Sequence, residues 1–226
     1  LPTVNGEKLV MRIPSAGGAA LRKVTELGMT DYNYKMYEKM LKCPHGLILV
    51  TGPTGSGKTT TLYSSLEEVA EPDVNVVTVE DPVEKRIDGI NQVQINNKSG
   101  MTFAVALRSI LRQDPDIIMI GEMRDEETAE IGIRAAITGH LVFSTLHTND
   151  AASTITRLID MGVPAYMAAS SLIGVVAQRL VKILCGKCKI KRMTSAEENE
   201  LLGINKSIEV YDACGCSECS NTGYKG

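Results

Sequence analysis

Gly52-Pro53-Thr54-Gly55-Ser56-Gly57-Lys58-Thr59, running on from the apolar stretch Leu47-Ile48-Leu49-Val50, decides how this chain is read. It fills every constrained position of a G-x-x-x-x-G-K-[ST] phosphate loop. A strand-forming run precedes it, and a helix-forming run, Thr60 to Glu68, follows. Glycines at 52, 55 and 57 admit backbone conformations that side chains forbid, so successive N–H groups converge on phosphate oxygens. The helix N-terminus behind them adds partial positive charge. In such a loop Lys58 reaches the β- and γ-phosphates and the Thr59 hydroxyl holds Mg²⁺, with Pro53, Thr54, Ser56 and Thr60 completing the cradle. The stretch marks a site for a nucleoside triphosphate, taken as ATP.

The 226 residues suffice for one sizeable core and a small appendage. A hydrophobic content of 43% and a charged content of 23% are those of an ordinary globular domain. A formal net charge of −3, no Trp and 4% aromatics argue against a nucleic-acid surface, which needs basic surplus and stacking rings. No apolar run reaches the roughly 18 residues of a membrane-spanning helix, so membrane insertion is not expected. No signal peptide is evident. The chain opens at Leu1 without Met and stops just after Tyr224-Lys225, and it reads as a piece of something longer.

Taken in order, residues 1–14 carry the turn signal Asn5-Gly6 and the alternation Leu9, Met11, Ile13, the pattern of a hairpin ending an upstream domain. Residues 15–18 read as a linker, and residues 19–28 and 31–42 as two helices. Beyond the phosphate loop, strands are predicted at 75–79, 90–95, 116–122 and 140–147. Helices are predicted at 102–113, 125–138, 150–161 and 164–183. Strands alternating with helices imply a parallel sheet covered on both faces, with ligands beyond the carboxyl ends of the strands. Glu80, Glu84, Glu122 and His147 each follow a strand and so gather near the phosphates. His140 opens its strand and lies roughly 20 Å from His147 at about 3.3 Å per residue.

Glu122 ends an apolar strand as a Walker B carboxylate does, but Gly121 stands where the metal-side Asp would be. Magnesium then leans on Thr59, with Glu122 acting through water. Glu84 is preferred over Glu80 for polarising the attacking water, because Glu80 and Asp81 precede Pro82 and brace the loop. His147 is a candidate γ-phosphate contact or a structural histidine; His140 reads as structural or interfacial. Arg12, Arg108 and Arg112 are candidate arginine fingers or plain surface cations. Cys185-Gly-Lys-Cys188 and Cys216-Ser-Glu-Cys219 form two C-x-x-C pairs, a thiolate set for structural Zn²⁺. The 27 residues between them (189–215) include a capping box, Ser195 to Glu198, that opens a short helix. Cys214 is a possible substitute for Cys216. Redox chemistry is the rival reading of the pairs, without strand-turn-helix context. Cys43 reads as a plain thiol.

With these residues laid out, the chain resembles the type II secretion and type IV pilus assembly ATPases, the GspE/PilB branch of the secretion-ATPase superfamily. The resemblance rests on GPTGSGKTTTLY, on Thr78-Val-Glu-Asp-Pro-Val-Glu84 as an Asp box, and on Leu111 to Asp125 as a variant Walker B. Thr138 to His147 matches the His box, and the paired cysteines with Gln178-Arg-Leu-Val181 match the assembly and secretion members. It implies a RecA-like P-loop ATPase core at 19–183, preceded by the end of a truncated domain at 1–18 and followed by a tetracysteine zinc module at 184–226. It also implies a homohexameric motor on the cytoplasmic side of the inner membrane, acting on a platform protein that inserts pilin or pseudopilin. Lys58, Glu84, Glu122, His140 and His147 fall on family motif positions, and Arg12, Arg108 and Arg112 align with arginines near the γ-phosphate. A DNA-uptake or translocation ATPase of the same superfamily, and a nucleotide-binding adaptor, are the alternatives.

Overall fold

The computed structural model describes residues 2–11 and 22–225. They fall into two compact units, Leu1–Arg179 and Leu180–Gly226.

The first unit begins with a two-residue hairpin, β1 (Pro2–Thr3) and β2 (Gly6–Glu7), turning through Val4-Asn5, so that Gly6 pairs with Thr3 instead of sitting in the turn. Helix α1 (Asp31–Leu41) starts at Thr30, whose hydroxyl accepts the Asn33 N–H at 3.3 Å. There follow β3 (Gly46–Thr51), α2 (Lys58–Val69), β4 (Val76–Glu80), β5 (Asn91–Gln94), α3 (Phe103–Ile110), β6 (Ile117–Ile120), α4 (Glu126–Ile137), β7 (Leu141–Leu146), α5 (Ala152–Asp160), α6 (Ala165–Ser171) and β8 (Leu172–Ala177). The strands form one six-stranded sheet in the order β5-β4-β6-β7-β3-β8, every pairing parallel.

Parallel sheets are buried on both faces, and the sequence meets that demand with continuous apolar runs. Every residue of β3, β4, β6 and β7 is buried. Period-two alternation sends Leu47, Leu49, Ile118 and Ile120 to one face with Leu107, Ile110 and Ile133 of α3 and α4. Ile48, Val50, Met119 and Phe143 go to the other face with Leu62, Tyr63 and Leu66 of α2 and Tyr37 of α1. Each fully buried side chain of this kind contributes about 1.5–3 kcal/mol.

Two helical expectations are corrected. The span 164–183 is a short helix followed by an edge strand: Leu172-Ile-Gly-Val-Val-Ala177 is β-branched around Gly174, and ladder bonds from β3 outweigh its helical periodicity. Within 19–28, only a 3₁₀ turn at Val24–Glu26 is helical among the described residues. The linker at 15–18 and Arg12 lie outside the described residues.

The second unit pairs β9 (Ile190–Met193) antiparallel with β10 (Glu209–Asp212), and α7 (Ala196–Leu202) lies between them in sequence. Ser195 caps α7 reciprocally with Glu198. Arg192 donates to both Glu198 oxygens at 2.6 Å and to Asp212 at 2.8 Å, tying hairpin to helix.

Gly46, at φ +126°, opens β3 where Ile173 crosses it: a Cβ there would lie 2.3 Å from Ile173 Cγ1 and 3.2 Å from the Ser171 carbonyl. Gly46→Ala should therefore destabilise the first unit by about 1–3 kcal/mol, lowering its thermal midpoint by about 5 °C in calorimetry. In the second unit, donation from Arg192, and then from the Ser195 N–H, draws Glu198 down from 4.5 to about 2. Its folded value lies below its unfolded one, so its contribution is complete above about pH 4.5 and lost as pH falls toward about 2. Amide protection of β9, α7 and β10 should fade across that window, and Glu198→Gln should flatten the dependence.

Candidate nucleotide site

Strand β3 runs between β7 and β8, and residues 52–57 leave its carboxyl end to begin α2. Gly52, Gly55 and Gly57 have φ of +151°, +78° and +85°. At Gly52 the loop is also packed shut, since a Cβ would lie 2.4 Å from the Gln178 carbonyl oxygen. No side chain caps α2, whose N-cap is Gly57, so its first N–H groups face the loop interior as an anion site would require. Lys58 Nζ donates to the Gly52 and Pro53 carbonyls at 3.0 Å, bonds it can exchange for phosphate oxygens. Burial pulls the Lys58 ammonium below its ordinary range, and the Glu122 charge opposes that pull.

The sheet edge brings the expected strand-end residues to this loop. Glu122 follows β6, accepts Arg124 at 2.5 Å, and lies 3.8 Å from His147 Nε2, which follows β7. Lys58, Glu122 and Arg124 thus share one charge cluster, with the His147 imidazole beside Glu122. Arg124 was invisible in the sequence reading because nothing in its spacing sets it apart. Gly121 is held between strands: its N–H donates to the Val79 carbonyl at 2.8 Å and its carbonyl accepts Thr145 Oγ1 at 2.8 Å. A Cβ there would lie 3.3 Å from the Val79 oxygen, a tight approach that favours Gly at this position.

Glu80 is buried at 3% exposure, and its carboxylate accepts the Tyr63 phenol, Thr78 Oγ1 at 2.6 Å and Gln92 Nε2 at 3.1 Å. Its capacity is committed to bracing. Glu84 lies farther along the same loop and is exposed. His140 sits at the opposite end of β7, its Nδ1 2.9 Å from the Ala135 carbonyl at the close of α4. Arg108 pairs with Glu127 at 2.5 Å, and Arg112 follows the C-cap of α3. That helix leads to the start of β6, at the sheet edge away from the phosphate loop.

Two supports were not read from the sequence. Gln178, immediately after β8, donates from Nε2 to the Ser56 carbonyl at 2.6 Å and accepts Thr61 Oγ1 at 2.8 Å. Its main-chain N–H donates to the Thr51 carbonyl at 2.9 Å. Thr51, Thr148 and Thr154 form a hydroxyl chain with Oγ1 separations of 2.6 and 2.8 Å, fixing the residue after His147 to the root of the phosphate loop.

In the second unit Cys185, Cys188, Cys216 and Cys219 place their sulfurs within 4.8 Å of one another. Adjacent pairs are separated by 3.9, 3.8 and 3.8 Å. Zn–S bonds of about 2.3 Å in a tetrahedron require S···S of about 3.8 Å, whereas a disulfide needs about 2.05 Å. The four thiols fit zinc and not a disulfide. Gly215, Cys216 and Gly223 N–H groups donate to these sulfurs at 3.2–3.3 Å, as thiolate acceptors favour. Cys214 is exposed and outside the set; Cys43 only approaches the Lys39 carbonyl in its own helix.

The family model described as "Type II/IV secretion system protein" matches residues 1–226. The chain is 50% identical over its whole length to the Type II secretion system protein E of Pseudomonas aeruginosa, covering 45% of that protein. It is 49% identical to the Type IV pilus assembly ATPase PilB of Thermus thermophilus, covering 26% of it. The chain thus spans about half or less of the curated relatives it matches. Among solved structures, the pilus retraction motor PilT with bound ADP aligns at TM-score 0.68 and 39% identity, over 76% of this chain and 52% of that one. The VirB11 ATPase of the Brucella suis type IV secretion system, in complex with sulphate, aligns at 0.54 and 25%, over 67% of this chain and 52% of that one. The RecA-like α/β core is the fold shared with these neighbours.

Gln178→Ala would leave the Ser56 carbonyl and the Thr61 hydroxyl without this partner. At about 0.5–1.5 kcal/mol per hydrogen bond, ATP affinity measured by titration should fall on the order of tenfold.

Proposed function

This chain belongs to the Type II/IV secretion system protein family, and from that premise we propose that it is the ATP-hydrolysing motor core of a type II secretion or type IV pilus assembly machine. The observation that carries the reading is a complete phosphate loop opening an uncapped helix, with Glu122 and His147 delivered beside Lys58 by neighbouring strand ends.

Residues 52–60 bind the triphosphate through main-chain N–H groups and the Lys58 ammonium. The Thr59 hydroxyl would hold Mg²⁺, which would supply positive charge against that developing on the phosphates. Glu122 holds its place near that hydroxyl through Arg124 and orients water there. Glu84 polarises the attacking water, and His147 contacts the γ-phosphate side of the cluster. Arg12, Arg108 and Arg112 act from a neighbouring subunit of a homohexamer.

Residues 1–18 are read as the end of a preceding domain and its linker, 19–183 as the motor core and 184–226 as the metal module. Zn²⁺ held by the four thiols staples a unit too small to rely on its own core. No described helix is long and apolar enough to cross a membrane. In this reading the motor works on the cytoplasmic side of the inner membrane, held there by its platform partner. The net charge of −3 disfavours the DNA-translocating alternative.

Metal content and ATP turnover of the full chain, wild type against Glu84→Gln, test this reading. About one zinc per chain is expected, with turnover reduced at least 100-fold by the substitution. Chelation of the zinc should abolish the β9–β10 circular dichroism and amide protection while ATP still binds. Zinc and ATP binding without turnover would leave the nucleotide-binding adaptor, and hydrolysis stimulated by DNA would favour the translocase.

A further inference from the structure

We infer that Tyr63 is a positioning residue for Glu84, joining the phosphate-loop helix to the loop that carries that carboxylate. The catalytic side of the inference rests on the role proposed above for Glu84; the tether itself does not.

Tyr63 lies five residues after Lys58 on α2 and is 2% exposed. Its phenol donates to the Glu80 carboxylate and accepts the main-chain N–H of Glu84 at 3.1 Å. A carboxylate only accepts, so the single phenolic proton goes to Glu80 and an oxygen lone pair is left for the Glu84 N–H. Phenylalanine would fill the same space and make neither bond. Burial, followed by the Glu80 hydrogen bond and charge, raises the phenol above its ordinary range, so it stays protonated and keeps both roles at neutral pH.

The rest of the loop is pinned from β5. Gln94 Oε1 accepts the Val83 N–H at 3.2 Å, and Gln92 Oε1 accepts the Ile87 N–H at 2.8 Å. Gln92 Nε2 donates both to the Lys85 carbonyl at 3.0 Å and to Glu80. Every one of these bonds reaches the loop from the β5 side. Tyr63 ties the Glu84 main chain to α2, the helix whose first residue is Lys58. The Tyr63 hydroxyl therefore couples the position of the Glu84 main chain to that of α2.

The test compares wild type, Tyr63→Phe and Glu84→Gln in the full chain by hydrogen exchange, ATP titration and turnover. In Tyr63→Phe the Glu84 amide should exchange about tenfold faster, with α2 amides unchanged, ATP affinity within twofold and kcat down at least tenfold. Unchanged exchange overturns the tether. Faster exchange with wild-type kcat, while Glu84→Gln is inactive, overturns the positioning role. Turnover by Glu84→Gln at the wild-type rate instead removes the catalytic assignment of Glu84, and exchange still decides the tether. Should Tyr63→Phe fail to fold, 4-aminophenylalanine at position 63 restores the donor to Glu80 but is a poor acceptor. The same faster exchange at Glu84 is expected from it, and wild-type exchange overturns the proposal.

Discussion

Everything in the first unit depends on β3 being hydrogen-bonded on both sides by parallel strands. Sandwiched between β7 and β8, Gly46–Thr51 is buried throughout and has no edge. A strand so placed cannot slip in register without expelling one apolar set from each face. Its carboxyl end is therefore a fixed point, and the phosphate loop starts from it. Because β4, β6 and β7 run the same way, their polar ends come out at that same edge. Glu80, Glu122 and His147 are neighbours for this reason, although up to 67 residues separate them in sequence.

This logic explains what was legible in the sequence. Phosphate loop, apolar strands, the capping box at Ser195 and the paired cysteines are all local signals, carried by adjacent residues or fixed short spacings. Sheet direction then placed Glu122 and His147 beside Lys58 without any knowledge of side-chain contacts. The span 164–183 failed because Leu172–Ala177 is a strand only in the presence of β3, and that information lies more than a hundred residues away. Gln178, Arg124 and Tyr63 were missed for a related reason. Each is an ordinary residue whose role consists of what it touches, and a polar side chain does not announce its partner. The glutamines of β5 likewise hold the loop that follows β4, a role their place in a short predicted strand does not signal.

The second unit is organised on different terms. None of the residues of α7 is buried, and the hairpin β9–β10 is mostly exposed. Polar order takes the place of a core: Arg192 spans hairpin and helix, and the four sulfurs converge under main-chain N–H donors. Such a unit gains its cohesion from directional bonds, so it tolerates variation in its apolar residues better than in its charges or thiols.

Gly121 carries a consequence for how such a site changes through descent. The space that a side chain at 121 would enter is bounded by the β4 backbone and by Glu80, whose Cβ lies 3.9 Å from the position of an added Cβ. An acid gained at 121 would face the carboxylate already buried there, and two like charges in one dry pocket oppose each other. An acid at 121 is therefore disfavoured while Glu80 stays buried and charged. The choice of residue at 121 is in this way tied to the one at 80, on the neighbouring strand.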